Sequence, residues 1–374
     1  MTSSRSVDQA SRRAAIALAF CLPSDVLLYL VLPMYAPVFG ITLIEAGILL
    51  AANRVIRIVG YRYVVQLYAR FGDRRSLVVA AAVAALCALG NANLSGFWAL
   101  VGLRLAWGLS FATFNLSTQV LATADPAGAA RRTGTSRALI AIGPMLALSA
   151  GAWLTLQYGP RAVLLLCSGL CLIGLLLALG LPSAGHQLPA PGRRLRWPDR
   201  IVTWSFIEGV TLDGLFIFGL SAFSQAVLGG DAVLVAGLLM ALRYVSDMLL
   251  SPLGGRAADR YGAAPMLVAC STLTALSLTA FGFHWLILGA GGVLILRALQ
   301  IPLVVTLVAT RHPGQARLPA LASNAMWRDV GASVGPLLAG VLIPLVPSTL
   351  LYPLSGLAIL VSSLACLKLK PAAE

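Results

Sequence analysis

The stretch GGRAADRYG, Gly254 to Gly262, has a counterpart 190 residues earlier in VQLYARFGDRR, Val65 to Arg75, where Arg70-Phe71-Gly72 answers Arg260-Tyr261-Gly262. Other pairs keep nearly the same offset. Ala-Gly recurs at 46–47 and 236–237, Asp25 and Asp213 are 188 apart, Gly143-Pro144 and Gly335-Pro336 are 192 apart, and Arg104 and Arg297 are 193 apart. Anchors of such different residue types at almost one spacing mark a chain built from two copies of one unit.

What each copy is made of follows from composition. Of 374 residues 59% are hydrophobic and 11% charged, with a mean hydropathy of +0.88, too little polar surface to cover a water-soluble globule. A bilayer core needs about 20 apolar residues per helical span, and roughly 31 per span and loop gives about twelve spans. That leaves no room for a soluble domain between the runs. The chain is therefore expected to be an all-α integral membrane protein of twelve transmembrane helices, arranged as two six-helix bundles about an axis along the membrane normal, with a site between them near the midplane.

Apolar runs begin near Ala14, Thr42, Ser76, Gly96, Gly134 and Pro160, then near Ile201, Ala232, Ala263, His284, Leu318 and Pro347. The first, to about Phe39, is too long for a signal peptide, lacks a small-x-small cleavage site and carries Asp25 and Pro33, so it reads as a retained helix. Residues 1–182 form the first bundle, 183–200 a linker with Pro189, Pro191, Pro198, Arg193, Arg194, Arg196 and Arg200, and 201–374 the second bundle. The net charge of +14, from 27 basic and 13 acidic residues, reports orientation rather than nucleic-acid binding. Arg5, Arg12, Arg13, Arg70, Arg74, Arg75, Arg131, Arg132, the linker arginines, Arg256, Arg260, Arg311, Arg317, Lys368 and Lys370 fall on one side, and Arg161 on the other. Both termini and the linker are thus expected in the cytoplasm. The six cysteines lie in apolar runs without metal-ligand spacing and His186, His284 and His312 are scattered, so neither metal nor cofactor is expected.

Gly254–Gly262 resembles the Gly-x-x-x-Asp-Arg-x-Gly signature of the major facilitator superfamily, with Gly255, Asp259, Arg260 and Gly262 in its gating turn. The first-half copy keeps Arg70 and Gly72 but has Val65 for the glycine and Ala69 for the aspartate. LRLAWGLSFAT from Leu103 resembles the fourth-helix signature built on an intramembrane arginine, here Arg104. IAIGPMLALSAG, with Gly143 and Pro144, and GASVGPLLAG, with Gly335 and Pro336, resemble the Gly-Pro signature of antiporters. The resemblance spans essentially the whole chain and implies the twelve-helix fold, alternating access and export. It also implies that an acid in the first helix and the arginine of the fourth form a proton-coupling pair, here Asp25 and Arg104.

A charge at the bilayer centre costs roughly 2.5–3.5 kcal/mol, so an intramembrane ionisable residue needs a partner, a cavity or a role. Desolvation makes the charge of Asp25 costly, which opens it to reversible protonation. Asn53 and Arg57 are four apart on one face of the second helix, flanked by Arg54, and Arg243 and Asp247 repeat that spacing on the eighth. With Arg137, Glu208, Asp213, Arg297, Arg328 and Asp329 these make up the expected substrate-binding set. Arg243 with Asp247 reads equally as an intrahelical ion pair. Seven intramembrane arginines against five acids favour a substrate with anionic groups, and Arg54, Arg57 and Arg104 have only Asp25 as an evident first-half partner, so an uncompensated guanidinium is expected there.

The expectation is a proton-coupled secondary transporter in a bacterial-type inner membrane, exporting a small anionic, zwitterionic or amphipathic compound such as a metabolite, metal chelator or drug. Proton-symport uptake, lipid flipping and a non-transporting scaffold are the alternatives. The expected partners are the substrate, protons and membrane lipids around a monomer. No nucleophilic triad, metal cluster or phosphate loop points to an enzyme.

Overall fold

The computed structural model describes residues 4–183, 198–217, 219–220 and 232–367. The linker arginines 193, 194 and 196, Asp231, His186, Lys368 and Lys370 lie outside them. Every regular element among the described residues is helical: α1 Ser4–Cys21, α2 Pro23–Met34, α3 Leu43–Asn93, α4 Phe97–Ala122, α5 Ala129–Leu146, α6 Ala152–Leu179, α7 Arg200–Glu208, α8 Ala232–Tyr261, α9 Ala263–Gly282, α10 Leu286–Arg311, α11 Arg317–Leu345 and α12 Ser348–Leu367. Short 3-10 turns cover Ala36–Phe39 and Gly314–Ala316, and π-helical segments Ala147–Gly151 and Gly209–Phe216. The architecture is the twelve-helix, all-α one read from the sequence.

Local chemistry sets the breaks. Gly72 adopts φ 74°, which turns the chain inside α3 and makes two passes of it, and Gly262 at φ 89° makes the equivalent turn between α8 and α9. Thr42 and Glu45 form a reciprocal capping box at the start of α3, with Thr42 Oγ1 accepting from the Glu45 N–H at 3.2 Å and Glu45 Oε2 accepting from the Thr42 N–H at 2.7 Å. The first run is not one uninterrupted helix: it breaks at Leu22-Pro23, where proline has no N–H to continue the ladder, and Asp25 falls in the first turn of α2.

The chain divides into two compact units, Met1–Ala124 with Leu139–Pro189 and Asp125–Ala138 with Ala190–Glu374. The first is cored by Leu28, Val31, Leu32, Phe39, Leu49, Leu100 and Leu164. In the second, Phe281 stacks edge-on against Tyr352 at 4.7 Å and Phe216 at 5.1 Å between ring centres. Apolar side chains face outward too, Leu86, Leu176, Leu276 and Ile287 being more than half exposed, as a lipid-facing surface requires. Segments of α3, α4, α6, α9, α10 and α12 are long and apolar enough to cross a membrane on composition alone. The other helices are short, interrupted, or carry the ionisable residues that dilute their hydropathy.

Candidate functional site

In the first unit the break at Pro23 places Asp25 opposite α4. Arg104 Nη1 donates to Asp25 Oδ1, Asn53 Nδ2 donates to the same oxygen at 3.1 Å, and Arg104 Nε donates to the Leu49 carbonyl at 3.1 Å. The pair is dry, with Arg104 1% and Asp25 7% exposed. Arg104 also lies over the Tyr29 ring and Arg57 over the Phe111 ring, 4.7 Å from its centre. Both rings were missed by sequence reasoning although spacing marks them: Tyr29 is one turn beyond Asp25, and Phe111 two turns beyond Arg104. Arg54 and Arg57, expected with Arg104 to leave a first-half guanidinium uncompensated, both make contacts within the protein.

The second unit holds a larger ionic cluster. Asp213, carried on the π-helical turn after α7, accepts from Arg297 Nη2 at 2.7 Å through Oδ1 and from Arg328 Nη2 at 2.6 Å through Oδ2. π-Turns rotate the side chains that follow and recur at functional sites. Glu208 Oε2 accepts from Arg328 Nε at 2.7 Å, and Arg297 Nε lies 3.5 Å from Glu208 Oε1. Arg243 Nη2 is 3.6 Å from Asp213 Oδ1, while Asp247 Oδ2 is 3.8 Å from Arg137 Nη2 and 3.9 Å from Arg297 Nη1. The closest charged partners of Arg243 and Asp247 are thus Asp213, Arg137 and Arg297 rather than one another, although the two charges of the intrahelical reading still interact. Each residue turns to partners on other helices, where buried counter-charges interact more strongly than a solvated i, i+4 pair. Asp329 acts electrostatically on the adjacent Arg328. Four arginines, Arg137, Arg243, Arg297 and Arg328, thus balance Glu208, Asp213, Asp247 and Asp329.

Backbone contact holds these helices close. A Cβ on Gly331 would stand 2.2 Å from the Phe206 carbonyl oxygen, and one on Gly335 2.5 Å from that of Val210. Small residues permit the same approach elsewhere, Gly143 against Ala19 and Gly255 against Ala130. Pro144 lies inside α5 just before its π-segment, and Pro336 packs beside Gly214. In the hairpins, Asp259 Oδ2 accepts from the Arg131 N–H at 3.1 Å, at the start of α5. Arg70 and Arg260 lie over the rings of Phe71 and Tyr261. The first-half hairpin, with Ala69 in the aspartate's place, has an acid that the sequence reading passed over: Asp73, 2% exposed, accepts from the Tyr68 hydroxyl.

At the start of α7, Asp199 accepts from the Val202 N–H at 2.9 Å and lies 3.2 Å from His312 Nε2 and 3.5 Å from Arg311 Nε. Burial pushes its carboxyl up, but the hydrogen bonds from His312 and Val202 and the neighbouring charges outweigh that and hold it below the usual range.

The family model described as Major Facilitator Superfamily matches residues 14–242 and 212–374. A multi-drug resistance efflux pump PmrA homolog of Lactococcus lactis subsp. lactis (strain IL1403) is 28% identical over 158 residues, 38% of this chain and 39% of that relative. Among solved structures, the proton:xylose symporter XylE bound to 6-bromo-6-deoxy-D-glucose superposes with a TM-score of 0.79 at 15% identity, over 98% of this chain and 96% of the other. The human organic anion transporter MFSD10 (TETRAN) gives 0.75 at 17% identity, over 97% and 98%. At these identities the structures speak to fold.

Proposed function

The chain belongs to the major facilitator superfamily, and from that premise we propose that it is a proton-coupled exporter of a small anionic, zwitterionic or amphipathic compound, working by alternating access. It is a multi-pass membrane protein, and we place it in an inner membrane with both termini cytoplasmic, on the one-sided distribution of its loop arginines.

The observation that carries the reading is the buried set Asp25, Arg104 and Asn53. An ionised Asp25 holds α2 to α4 through Arg104. A protonated one gives up the Coulombic part of that bond, and Arg104, still tied to the Leu49 carbonyl, is left with a charge to satisfy. Proton binding therefore changes which helix arrangement is favoured, which is what coupling requires. The substrate falls to the cluster of the second unit, where Arg137, Arg243 and Arg328 keep about a quarter of their side-chain surface exposed at membrane depth. Guanidinium groups persist there beside a water-filled cavity rather than lipid. The efflux-pump relative and the two Gly-Pro segments support export over uptake.

Proteoliposomes carrying an imposed pH gradient and an internal pH dye test this, with amino acids, dicarboxylates and amphipathic cations offered in turn. A carried compound moves against the proton flow, and Asp25→Asn abolishes uphill movement while sparing downhill exchange of the labelled compound. Unchanged uphill accumulation in Asp25→Asn overturns the coupling role, and movement of compound and proton in the same direction overturns export by antiport.

A further inference from the structure

Hydrogen-bond accounting separates the carboxylates of the second-half cluster. Both oxygens of Asp213 and both of Glu208 accept from arginine, at 2.6–2.7 Å for the shorter bonds. Asp247 does not share this. It is 4% exposed, its Oδ1 is buried without a hydrogen-bond partner, and its Oδ2 stands 3.8 and 3.9 Å from Arg137 and Arg297, beyond hydrogen-bond reach. The donors around it are also unspent. Arg297 Nη1, on a side chain 2% exposed, and the Nε atoms of Arg137 and Arg243 are buried without acceptors. One acceptor and three donors, all buried, thus lack hydrogen bonds, on side chains of which Arg137 and Arg297 stand at ion-pair rather than hydrogen-bond distance from Asp247. Buried polar atoms are seldom left so.

We infer that this group binds a zwitterion, a ligand whose ammonium donates to Asp247 and whose adjacent carboxylate accepts from Arg137 and Arg297. The charge balance selects this class. A simple anion would satisfy the guanidinium donors but would crowd Asp247 and leave its Oδ1 unmet. A simple cation would satisfy Asp247 and meet the repulsion of three arginines. A carboxylate and ammonium two bonds apart, as in an α-amino acid, fill both needs and bring no net charge into a cluster in which four arginines already balance four acids. At 3.8 and 3.9 Å the existing ion pairs lack hydrogen bonds, so a head group that supplies them gains over the empty arrangement once the side chains part to admit it.

The inference rests on the transport reading for its placement of the substrate, and its test is binding, without a gradient. Purified full-length protein in nanodiscs is titrated calorimetrically with two matched sets: leucine, 4-methylpentanoate and 3-methylbutylammonium; and phenylalanine, 3-phenylpropionate and 2-phenylethylammonium. D-Glucose serves as the neutral polyol. At least one amino acid is expected to bind tenfold or more tighter than both of its single-charge analogues and than glucose. Asp247→Asn should bring that amino acid and its carboxylate analogue to within about threefold of one another. Arg137→Gln should weaken both carboxylates and leave the ammonium analogue unchanged.

Equal or tighter binding of an analogue or of glucose, or no binding by either amino acid, overturns the inference whatever the variants do. Zwitterion preference without proton-coupled movement overturns the transport reading alone. Coupled movement of a compound in a protein that prefers a single-charge analogue overturns only the present inference.

Discussion

Asp25 owes its chemistry to one neighbour in sequence and two in space. Pro23 breaks the first helix just before it, and Asn53 and Arg104 meet its Oδ1. Removing one partner of a buried pair costs about 3–5 kcal/mol, because the other charge stays behind. Asp25→Asn and Arg104→Ala are therefore both expected to lower the melting temperature in detergent, Asp25→Asn because the guanidinium it strands cannot shed its charge. A melting temperature equal to that of the parent in both variants would contradict the pairing. Asp199 gives a pH prediction with a definite sign. Its carboxyl titrates lower in the fold than in the unfolded chain, so its stabilising contribution is complete above the unfolded carboxylate range, near pH 4, and is lost as pH falls through the folded value. Asp199→Asn should flatten the acid limb of stability against pH, measured by thermal unfolding between pH 3 and 6. An unaltered acid limb would show that the contact with His312 and Arg311 contributes nothing. Losing the cap altogether, in Asp199→Ala, is expected to cost about 0.5–2 kcal/mol at neutral pH.

At the scale of helices, the starts were readable because they are written in caps and turn glycines. Thr42, Gly96 and Ala263 mark or adjoin observed boundaries, and Pro160 follows the turn at Gly159 inside α6. The break at Pro23 and the π-turn under Asp213 were not, since a run that is apolar on all sides has no periodicity for a local rewinding to disturb. The crossing of α7 with α11 depends on glycine at 331 and 335, where any side chain meets a carbonyl oxygen at 2.2–2.5 Å. Gly331→Val is expected to destabilise by about 1–3 kcal/mol, as overpacking does, and to disturb the Glu208–Arg328 bond that spans the same crossing. A melting temperature equal to that of the parent would refute the close-approach argument. The hairpin acid Asp259 holds the first turn of α5 through the Arg131 N–H. A hydrogen bond to a charged group is worth about 1.5–3 kcal/mol, so Asp259→Ala should speed amide exchange over residues 129–132 by at least about tenfold. Unchanged exchange there would remove Asp259 from its holding role.

Across the whole chain, the repeat at an offset near 190 foretold where charges would recur, but not how they would pair. Asp25 with Arg104 and Asp213 with Arg297 follow the repeat. Arg328 and Arg243 both reach Asp213 as well, and Asp247 turns to Arg137, because seven guanidinium groups and five acids allow many pairings and only the packed helices choose among them. The central claim is that a proton at Asp25 selects the conformation of the transporter. Pulsed electron paramagnetic resonance tests it most directly, with spin labels on cysteines introduced at the exposed hairpin positions Arg75 and Tyr261, the six native cysteines being buried. The distance distribution of Asp25→Asn, which mimics the protonated acid, is predicted to differ from that of the otherwise native protein at pH 8. Identical distributions in the two would contradict the claim.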